Sequence, residues 1–287
     1  MIRLALPLIA ASLVSAVIAP LLGRITPMAA RRASMTALVS SAAAALALLA
    51  HFSMRGIVAM PVVGRRLHSF LHLDGVHVVR SGPVGATALV VAAAIVVKAV
   101  MMCVSRAKIR NIHPGGVVTV SDPRLFAYAI PGRRAGIIVS DSLVSTLSRE
   151  EMDVVLRHEL EHIDGRHDRW ILAARLCALV NPLLLPMRHQ LELSLERIAD
   201  DSARRDCGDA RTVVSTLSKV ALGKPESSVA LGITSSAVPA RIHWLNSGGD
   251  KSPSVLVAIV ALGTFSITSL AFVQGHHIAS AIQAACS

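Results

Sequence analysis

Residues 148–165 read SREEMDVVLRHELEHIDG and predict one amphipathic helix. Ser148 and Glu151 form an S-x-x-E capping box, which starts a helix, and Gly165 is placed to end it. Charged residues recur on one face at i,i+4 spacing, and apolar residues form the opposite stripe. A helix of this kind buries its apolar stripe, so the stretch predicts a folded domain around it.

The centre of this helix reads HELEH, an HExxH motif. His158 and His162 are one turn apart on the same side, as two ligands of one tetrahedral zinc ion require, and Glu159 is placed to reach the remaining, water-filled position. By helix phase Glu159 and His162 fall in the apolar stripe, with His158 at its edge. Buried polar groups need partners, and a metal ion satisfies all three. A hydrogen-bonded core cluster without metal is the alternative.

A catalytic zinc site needs a third protein ligand. Glu196, in the segment LERIADD, shares a helix face with Ala199 and Ala203, whose small side chains let the HELEH helix approach. Asp200, one turn further, is predicted to orient a ligand histidine through its second ring nitrogen, and Asp168 is another acid for this role. The alternatives are a solvated acidic face for Glu196 and an ordinary surface carboxylate for Asp168.

The rest of the chain predicts a membrane protein. Hydrophobic residues make up 53% of the sequence and charged residues only 16%, which is too apolar for a soluble domain of this length. Four stretches are long enough to cross a bilayer core of about 20 residues: 4–22, 35–54, 83–104 and 253–273. We therefore divide the chain into a membrane region with three transmembrane helices at 1–104, a zinc domain at 105–252, and the fourth helix with a short tail at 253–287.

A fifth apolar run, at 171–187, is interrupted by Asn181 and Pro182. A single crossing of the bilayer by this run would separate Glu196 from the histidines by about 30 Å. It is therefore predicted to return to the same side, either as a hairpin or as a helix packed on the membrane face.

The zinc domain is predicted to be α+β. Short β-rich runs precede its helices, at 117–121, 126–130 and 136–140, and the last of them is a candidate edge for an extended substrate. The stretch 223–240, rich in Gly, Ser and Pro, predicts a loop. The donor for an oxyanion stays open among Tyr128, Arg241 and His243.

The formal net charge of +11 does not indicate nucleic acid. The basic residues flank apolar stretches and form no groove lined with aromatic residues, so we predict contact with membrane lipids and no direct contact with nucleic acid. A small excess of Lys and Arg on one side of the spans places the zinc domain in the cytoplasm. The four cysteines form no C-x-x-C pair, which argues against a disulfide framework or a cysteine zinc site.

A second histidine pattern lies between the second and third spans. His68 and His72 are at i,i+4, with Asp74 and His77 nearby. Such a set suits a sensor of metal or pH. The alternative is an amphipathic segment at the membrane surface.

The sequence resembles the integral-membrane gluzincins of the β-lactam and methicillin sensor-transducer type, the antirepressor metallopeptidases. The resemblance rests on motifs between the third and fourth spans: HELEH, Asp168, Asn181-Pro182 and the Glu196–Asp200 segment. Residues 126–162 also match that family's order of an apolar strand, a Leu-Ser-x-Glu-Glu helix start and the zinc helix.

The resemblance implies a zinc endopeptidase of the bacterial cytoplasmic membrane that acts in signal transduction. Zn²⁺ would be held by His158, His162 and Glu196, with Glu159 as the catalytic base. The implied substrate is a cytoplasmic transcriptional repressor or the protease itself, while the oligomeric state is left open.

One departure from that family concerns sensing. Its antibiotic sensors carry a penicillin-binding domain after the fourth span, whereas this sequence runs only to Ser287, so we expect no β-lactam sensing of that kind. Two other functions stay open. One is a housekeeping metalloprotease for membrane-protein quality control or prenyl peptides, from another gluzincin family. The other is a non-catalytic signalling protein that keeps zinc as a folding element.

Overall fold

The computed structural model describes residues 2–58, 82–111, 115–207, 209–222, 232–247 and 254–286. The predicted sensor histidines at 68, 72 and 77 lie outside these residues. The described elements are, in chain order, α1 Ile2–Leu22, α2 Pro27–Val58, α3 Gly82–Arg110, β1 Gly116–Val120, β2 Ala127–Ile130, β3 Gly136–Ser140, α4 Asp141–Thr146, α5 Arg149–Asp164, α6 His167–Val180, a 3₁₀ turn Pro182–Leu184, α7 Leu185–Cys207, α8 Ala210–Leu222, α9 Gly232–Asn246 and α10 Ser254–Cys286.

The described part of the chain is mainly helical, and four of the helices in it are long and apolar enough to cross a membrane, as predicted. The candidate spans are Ala5–Leu22, Pro27–Ile57, Pro83–Arg110 and Ser254–Ser280. Glycines let these helices approach closely. A Cβ on Gly263 of α10 would lie 2.7 Å from Ile18 of α1, and one on Gly56 of α2 would lie 2.6 Å from the Gly85 carbonyl oxygen of α3. Close backbone approach at small residues is typical of helix packing in bilayers.

The fifth apolar run forms the predicted hairpin, α6 and α7, which turns at Asn181. The Asn181 side chain caps the 3₁₀ turn by accepting from the Leu183 N–H and donates to the Ser12 hydroxyl in α1, 3.0 Å away. Ser12 lies ten residues before the end of α1 at Leu22, about 15 Å along its axis. Leu183 at the tip is 60% exposed. The hairpin tip therefore packs beside the middle of a candidate span and presents leucine outward.

The sheet precedes the HELEH helix, α5, and has the order β1-β3-β2. β3 pairs in parallel with β1 and antiparallel with β2, so both of its edges are occupied. The prediction that residues 136–140 offer a substrate edge is wrong. The reason is the buried, nearly all-apolar character of β3, which suits a central strand.

The predicted loop at 223–240 is also wrong in part, because α9 begins at Gly232 and continues through Pro239 to Asn246. Trp244 and Leu245 near its end pack into a cluster with Val154 of α5, Ala203 of α7 and Val213 of α8. This burial outweighs the weak helix propensity of the preceding residues.

The capping box at the start of α5 is present and is linked to α8. Ser148 accepts from the Glu151 N–H, and Glu151 accepts from the Ser148 N–H. Glu151 is buried and also contacts the Lys219 ammonium of α8 at 2.6 Å. Hydrogen bonds from Lys219 and from the Ser148 backbone lower the pKa of the Glu151 carboxyl.

Glu151→Ala is expected to destabilise the protein by about 1–2 kcal/mol near neutral pH, since it removes a cap and an ion pair. The lowered pKa in the folded state means that Glu151 stabilises above its unfolded pKa and that this contribution is lost as pH falls through its folded pKa. The difference in unfolding temperature between wild type and Glu151→Ala, measured in detergent, should therefore be smaller near pH 4 than near pH 7. Glu150→Ala, at the exposed neighbouring acid, is the matched control, and a difference that does not depend on pH would contradict the assigned charge effect.

Candidate metal centre

Three predicted ligands, from two helices, meet between α5 and α7. His158 and His162 project from α5, and Glu196 comes from α7, which packs alongside it. The two Nε2 atoms are 3.2 Å apart. The Glu196 carboxylate places Oε2 3.5 Å from His158 Nε2 and Oε1 3.5 Å from His162 Nε2. Ala199 lies one turn from Glu196 and is fully buried. It is on the face of α7 that the sequence predicted to pack against α5.

The spacing of these donors fits a zinc ion. Zinc binds imidazole nitrogen and carboxylate oxygen at about 2.0–2.2 Å in a tetrahedron, so neighbouring ligand atoms stand roughly 3.3 Å apart. The two Nε2 atoms are 3.2 Å apart, and each lies 3.5 Å from one of the two Glu196 oxygens, which is close to that edge length. No sulfur donor takes part in this cluster, whose donors are His158, His162 and Glu196. The donor set fits a dication that prefers nitrogen and oxygen.

Asp200 lies where the sequence predicted it, one turn beyond Glu196. Its Oδ1 is 3.1 Å from His158 Nδ1 and its side chain is almost fully buried. An acceptor on Nδ1 fixes the tautomer that leaves Nε2 free to bind metal.

Arg241, from α9, is bound to two acids of α7, Glu196 and Asp200. Its guanidinium donates to the two carboxylate oxygens of Asp200 at 2.7 and 2.5 Å, and its Nη1 is 3.0 Å from Glu196 Oε2. The sequence offered it only as one of three oxyanion donors. Of the other two, Tyr128 is exposed on β2 and stacks on Phe126, while His243 is exposed on α9. Arg241 therefore holds the acids of the site, and this role was missed.

His167 is the partner of the second histidine. Its Nδ1 is 2.8 Å from His162 Nδ1, and the residue is fully buried. A neutral His162 that binds metal through Nε2 carries its proton on Nδ1, which donates to His167. The expected acid, Asp168, instead accepts from Arg106 at the end of α3. The prediction that Asp168 orients a ligand is therefore not supported by its contacts, and its neighbour takes that place.

Glu159 turns toward the sheet as well as the site. Its Oε2 accepts from the Ala129 N–H of β2 at 2.8 Å. Burial raises the pKa of its carboxyl. A raised carboxyl pKa suits a group that must take up and release a proton near neutral pH.

The electrostatics separate the two ligand histidines. Burial disfavours the charged ring of His158, but hydrogen bonds to Asp200 and Glu196 outweigh it and raise its pKa to about 10. Burial lowers the pKa of His162 to about 4 and that of His167 to about 3. Burial also opposes ionisation of Glu196, yet Arg241 holds its pKa well below the usual range. The site thus keeps its carboxylate ligand charged and the His162–His167 pair neutral.

Gly165→Ala is expected to weaken zinc binding about tenfold, within the range seen when partners of ligands are disturbed. A Cβ at Gly165 would lie 2.5 Å from His167 Nε2 and 2.7 Å from its Cδ2, so the buried ring has to leave the position in which its Nδ1 meets His162. Zinc affinity can be measured by competition with a chelator. Gly275→Ala, where nothing lies within 4 Å of the new Cβ, is the matched control. Equal affinities for both variants would exclude the positioning role of His167.

In the described residues, four membrane-length helices and a His/His/Glu donor set on two packed helices indicate the class, a membrane-type protein with a candidate metal centre. Comparison with known proteins supports this class. Residues 93–176, which include α5, match the model of Peptidase family M48.

Two curated proteins are similar to the chain. Plastoglobule-localized metallopeptidase 48, chloroplastic, from Arabidopsis thaliana is 29% identical over 159 residues, which cover 50% of this chain and 45% of that protein. Protease HtpX homolog from Thermoanaerobacter pseudethanolicus is 29% identical over 98 residues, which cover 34% and 32%. The chain thus spans less than half the length of these relatives. No solved structure matches it. The similarities support a membrane-type zinc metallopeptidase and do not single out the sensor-transducer subfamily.

Proposed function

We propose that this protein is a membrane zinc endopeptidase. The observation that carries the proposal is the convergence of His158, His162 and Glu196 at zinc-ligand spacing, with Glu159 on the same helix. The residues around the ligands also fit this chemistry, since Asp200 and His167 each occupy a second ring nitrogen.

The chain's own residues divide the work of peptide hydrolysis. A zinc ion held by the three ligands would supply a Lewis acid that polarises the attacking water and the scissile carbonyl. Glu159 takes the proton of the water on its carboxylate and returns it to the leaving amine. The Ala129 N–H holds one oxygen of Glu159, which leaves the other for the proton. Arg241 keeps Glu196 ionised.

The substrate would approach along β2. In the described part of the chain β2 pairs only with β3, and it also contacts α5, the helix that carries the two histidine ligands. Ala129 turns its N–H toward Glu159 and not toward a strand. An extended peptide laid along the edge of β2 away from β3 would gain main-chain hydrogen bonds and place a peptide bond beside the catalytic base.

The position of α7 favours substrates that lie close to the membrane. Arg197, next to Glu196, donates to the Gly23 carbonyl at 2.6 Å, in the turn between the first two candidate spans. The metal centre therefore stands level with the ends of these spans. A juxtamembrane segment, on the cytoplasmic side predicted by the charge bias, is the substrate class that this depth suits.

Two functional roles, with different substrates, fit this site. The resemblance to antirepressor metallopeptidases favours cleavage of a repressor or of the protease itself, and housekeeping cleavage of membrane proteins is the alternative; similarity to a protein named Protease HtpX homolog supports proteolysis in either case. Proteomics of cells that carry wild type or Glu159→Gln distinguishes them. One cytoplasmic protein that stays intact only in the mutant supports regulation, and many membrane proteins support quality control. Identical proteomes would favour the non-catalytic alternative and contradict the proposal.

A further inference from the structure

A separate cavity of about 480 Å³ opens at the C-terminal end of the HELEH helix. It lies between the end of α5, the start of α6 and the first turns of α2. Its walls are lined by Arg31, Asp164, Gly165, Arg166, Arg169 and Trp170. None of the three metal ligands lines it, and the mechanism above does not use it.

The residues that line the cavity carry an excess of positive charge, and Glu161, outside the lining, is the carboxylate that interacts electrostatically with Arg31. Among the described residues, no carboxylate lies within salt-bridge distance of Arg166 or Arg169, and both side chains are exposed. The Nε of Arg31 is buried and has no hydrogen-bond partner. Asp164 is the single acid among the lining residues, against three arginines. A buried guanidinium N–H is satisfied best by a charged acceptor, and a phosphate oxygen is such an acceptor.

The cavity lies beside the first turns of a candidate membrane span, Pro27–Ile57. Arg31 is in the second turn of α2, which begins at Pro27, and the guanidinium carbon of Arg31 stacks 4.8 Å from the centroid of Trp170. Trp and Arg are the residues that occupy the headgroup level of a bilayer. Beyond Trp170, α6 continues beside the candidate spans to the hairpin tip at Asn181.

We propose that Arg31, Arg166 and Arg169 form a binding site for the phosphate group of an anionic membrane lipid. A guanidinium presents paired donors that match phosphate oxygens. The three guanidinium groups around the cavity carry more positive charge than the single carboxylate of Asp164 neutralises. The position of the cavity beside a candidate span favours a headgroup over a free phosphate ion, and its acyl chains would extend along α2 and α6.

Trp170 provides a direct test, since the chain has two tryptophans. In the full-length variant Trp244→Phe, Trp170 is the single tryptophan, and lipids brominated near the glycerol backbone quench it on contact. Brominated phosphatidylglycerol is expected to quench Trp170 at about tenfold lower mole fraction than brominated phosphatidylcholine, because the net positive charge of the cavity favours the anionic headgroup.

Variants then assign the preference to the cavity. Arg166→Glu with Arg169→Glu is expected to abolish the preference, whereas Arg149→Glu with Arg211→Glu, an equal charge change at exposed arginines away from the cavity, should leave it intact. Equal quenching by the two lipids in the Trp244→Phe background would overturn the proposal, whether or not the charge-reversed variants fold. Loss of the phosphatidylglycerol preference on addition of millimolar inorganic phosphate would show a site for soluble phosphate and overturn the lipid assignment.

Discussion

Glu159→Gln is expected to keep zinc at wild-type stoichiometry while peptide hydrolysis falls by about 10²–10⁴-fold, the range for loss of a general base. The ligands stay in place, and the amide still accepts from the Ala129 N–H, so the local geometry is preserved. An amide has no carboxylate to accept the proton of the water. The metal content per chain and the cleavage of casein by protein in proteoliposomes measure the two effects separately.

Glu150→Gln is the matched control for this experiment. It makes the same chemical change on the same helix, at an exposed residue in the first turn. We expect its metal content and activity to equal those of wild type. Turnover of casein by Glu159→Gln at the wild-type rate would contradict the assignment of Glu159 as the base.

Glu196→Ala is expected to lower zinc affinity by more than about 100-fold, beyond the range for residues that only orient a ligand. It reduces three protein ligands to two. In wild type the Arg241 guanidinium contacts the Glu196 carboxylate at 3.0 Å. Without that carboxylate, the positive charge of Arg241 next to the metal position is no longer neutralised there. Titration with zinc in the presence of a competing chelator gives the affinity.

Asp201→Ala tests whether the loss of any acidic residue on α7 lowers zinc affinity. Asp201 pairs with Arg204 at 2.7 Å on the same helix, away from the ligand cluster. Its replacement should leave zinc affinity within about twofold of wild type, since surface ion pairs contribute little. If Glu196→Ala bound zinc as tightly as Asp201→Ala, Glu196 would not be a ligand.

The sequence predicted the metal cluster because its signals are local. Helix phase placed His158, Glu159 and His162 inward, and the small residue Ala199 marked the face of α7 that admits α5. The return of the chain at Asn181 followed from geometry, since a crossing would have separated the ligands.

The contact of His167 with the ligand His162 could not be predicted, because it depends on one backbone angle. Arg166 adopts a left-handed conformation with a φ of 50°, which only a few non-glycine residues adopt. This residue sets the phase of α6, so that His167 turns inward and Asp168 reaches Arg106. Neither the residue types nor their spacing carry that information.

Arg241 was missed for a different reason. It lies 41 residues beyond Asp200, and the Gly, Ser and Pro content before it predicted a loop. Its place in the site follows from the packing of Trp244 and Leu245 against three other helices, which is a tertiary effect. The order of the strands likewise depends on a parallel pairing of β1 with β3 that local patterns do not encode.

X-ray absorption spectroscopy at the zinc edge of the purified protein measures the ligands of the metal directly. We expect one zinc per chain, with two imidazole nitrogens at about 2.0–2.1 Å and the remaining ligands oxygen at about 2.0–2.2 Å. Sulfur ligands near about 2.3 Å, a single imidazole, or protein that holds no stoichiometric zinc after loading would contradict this expectation.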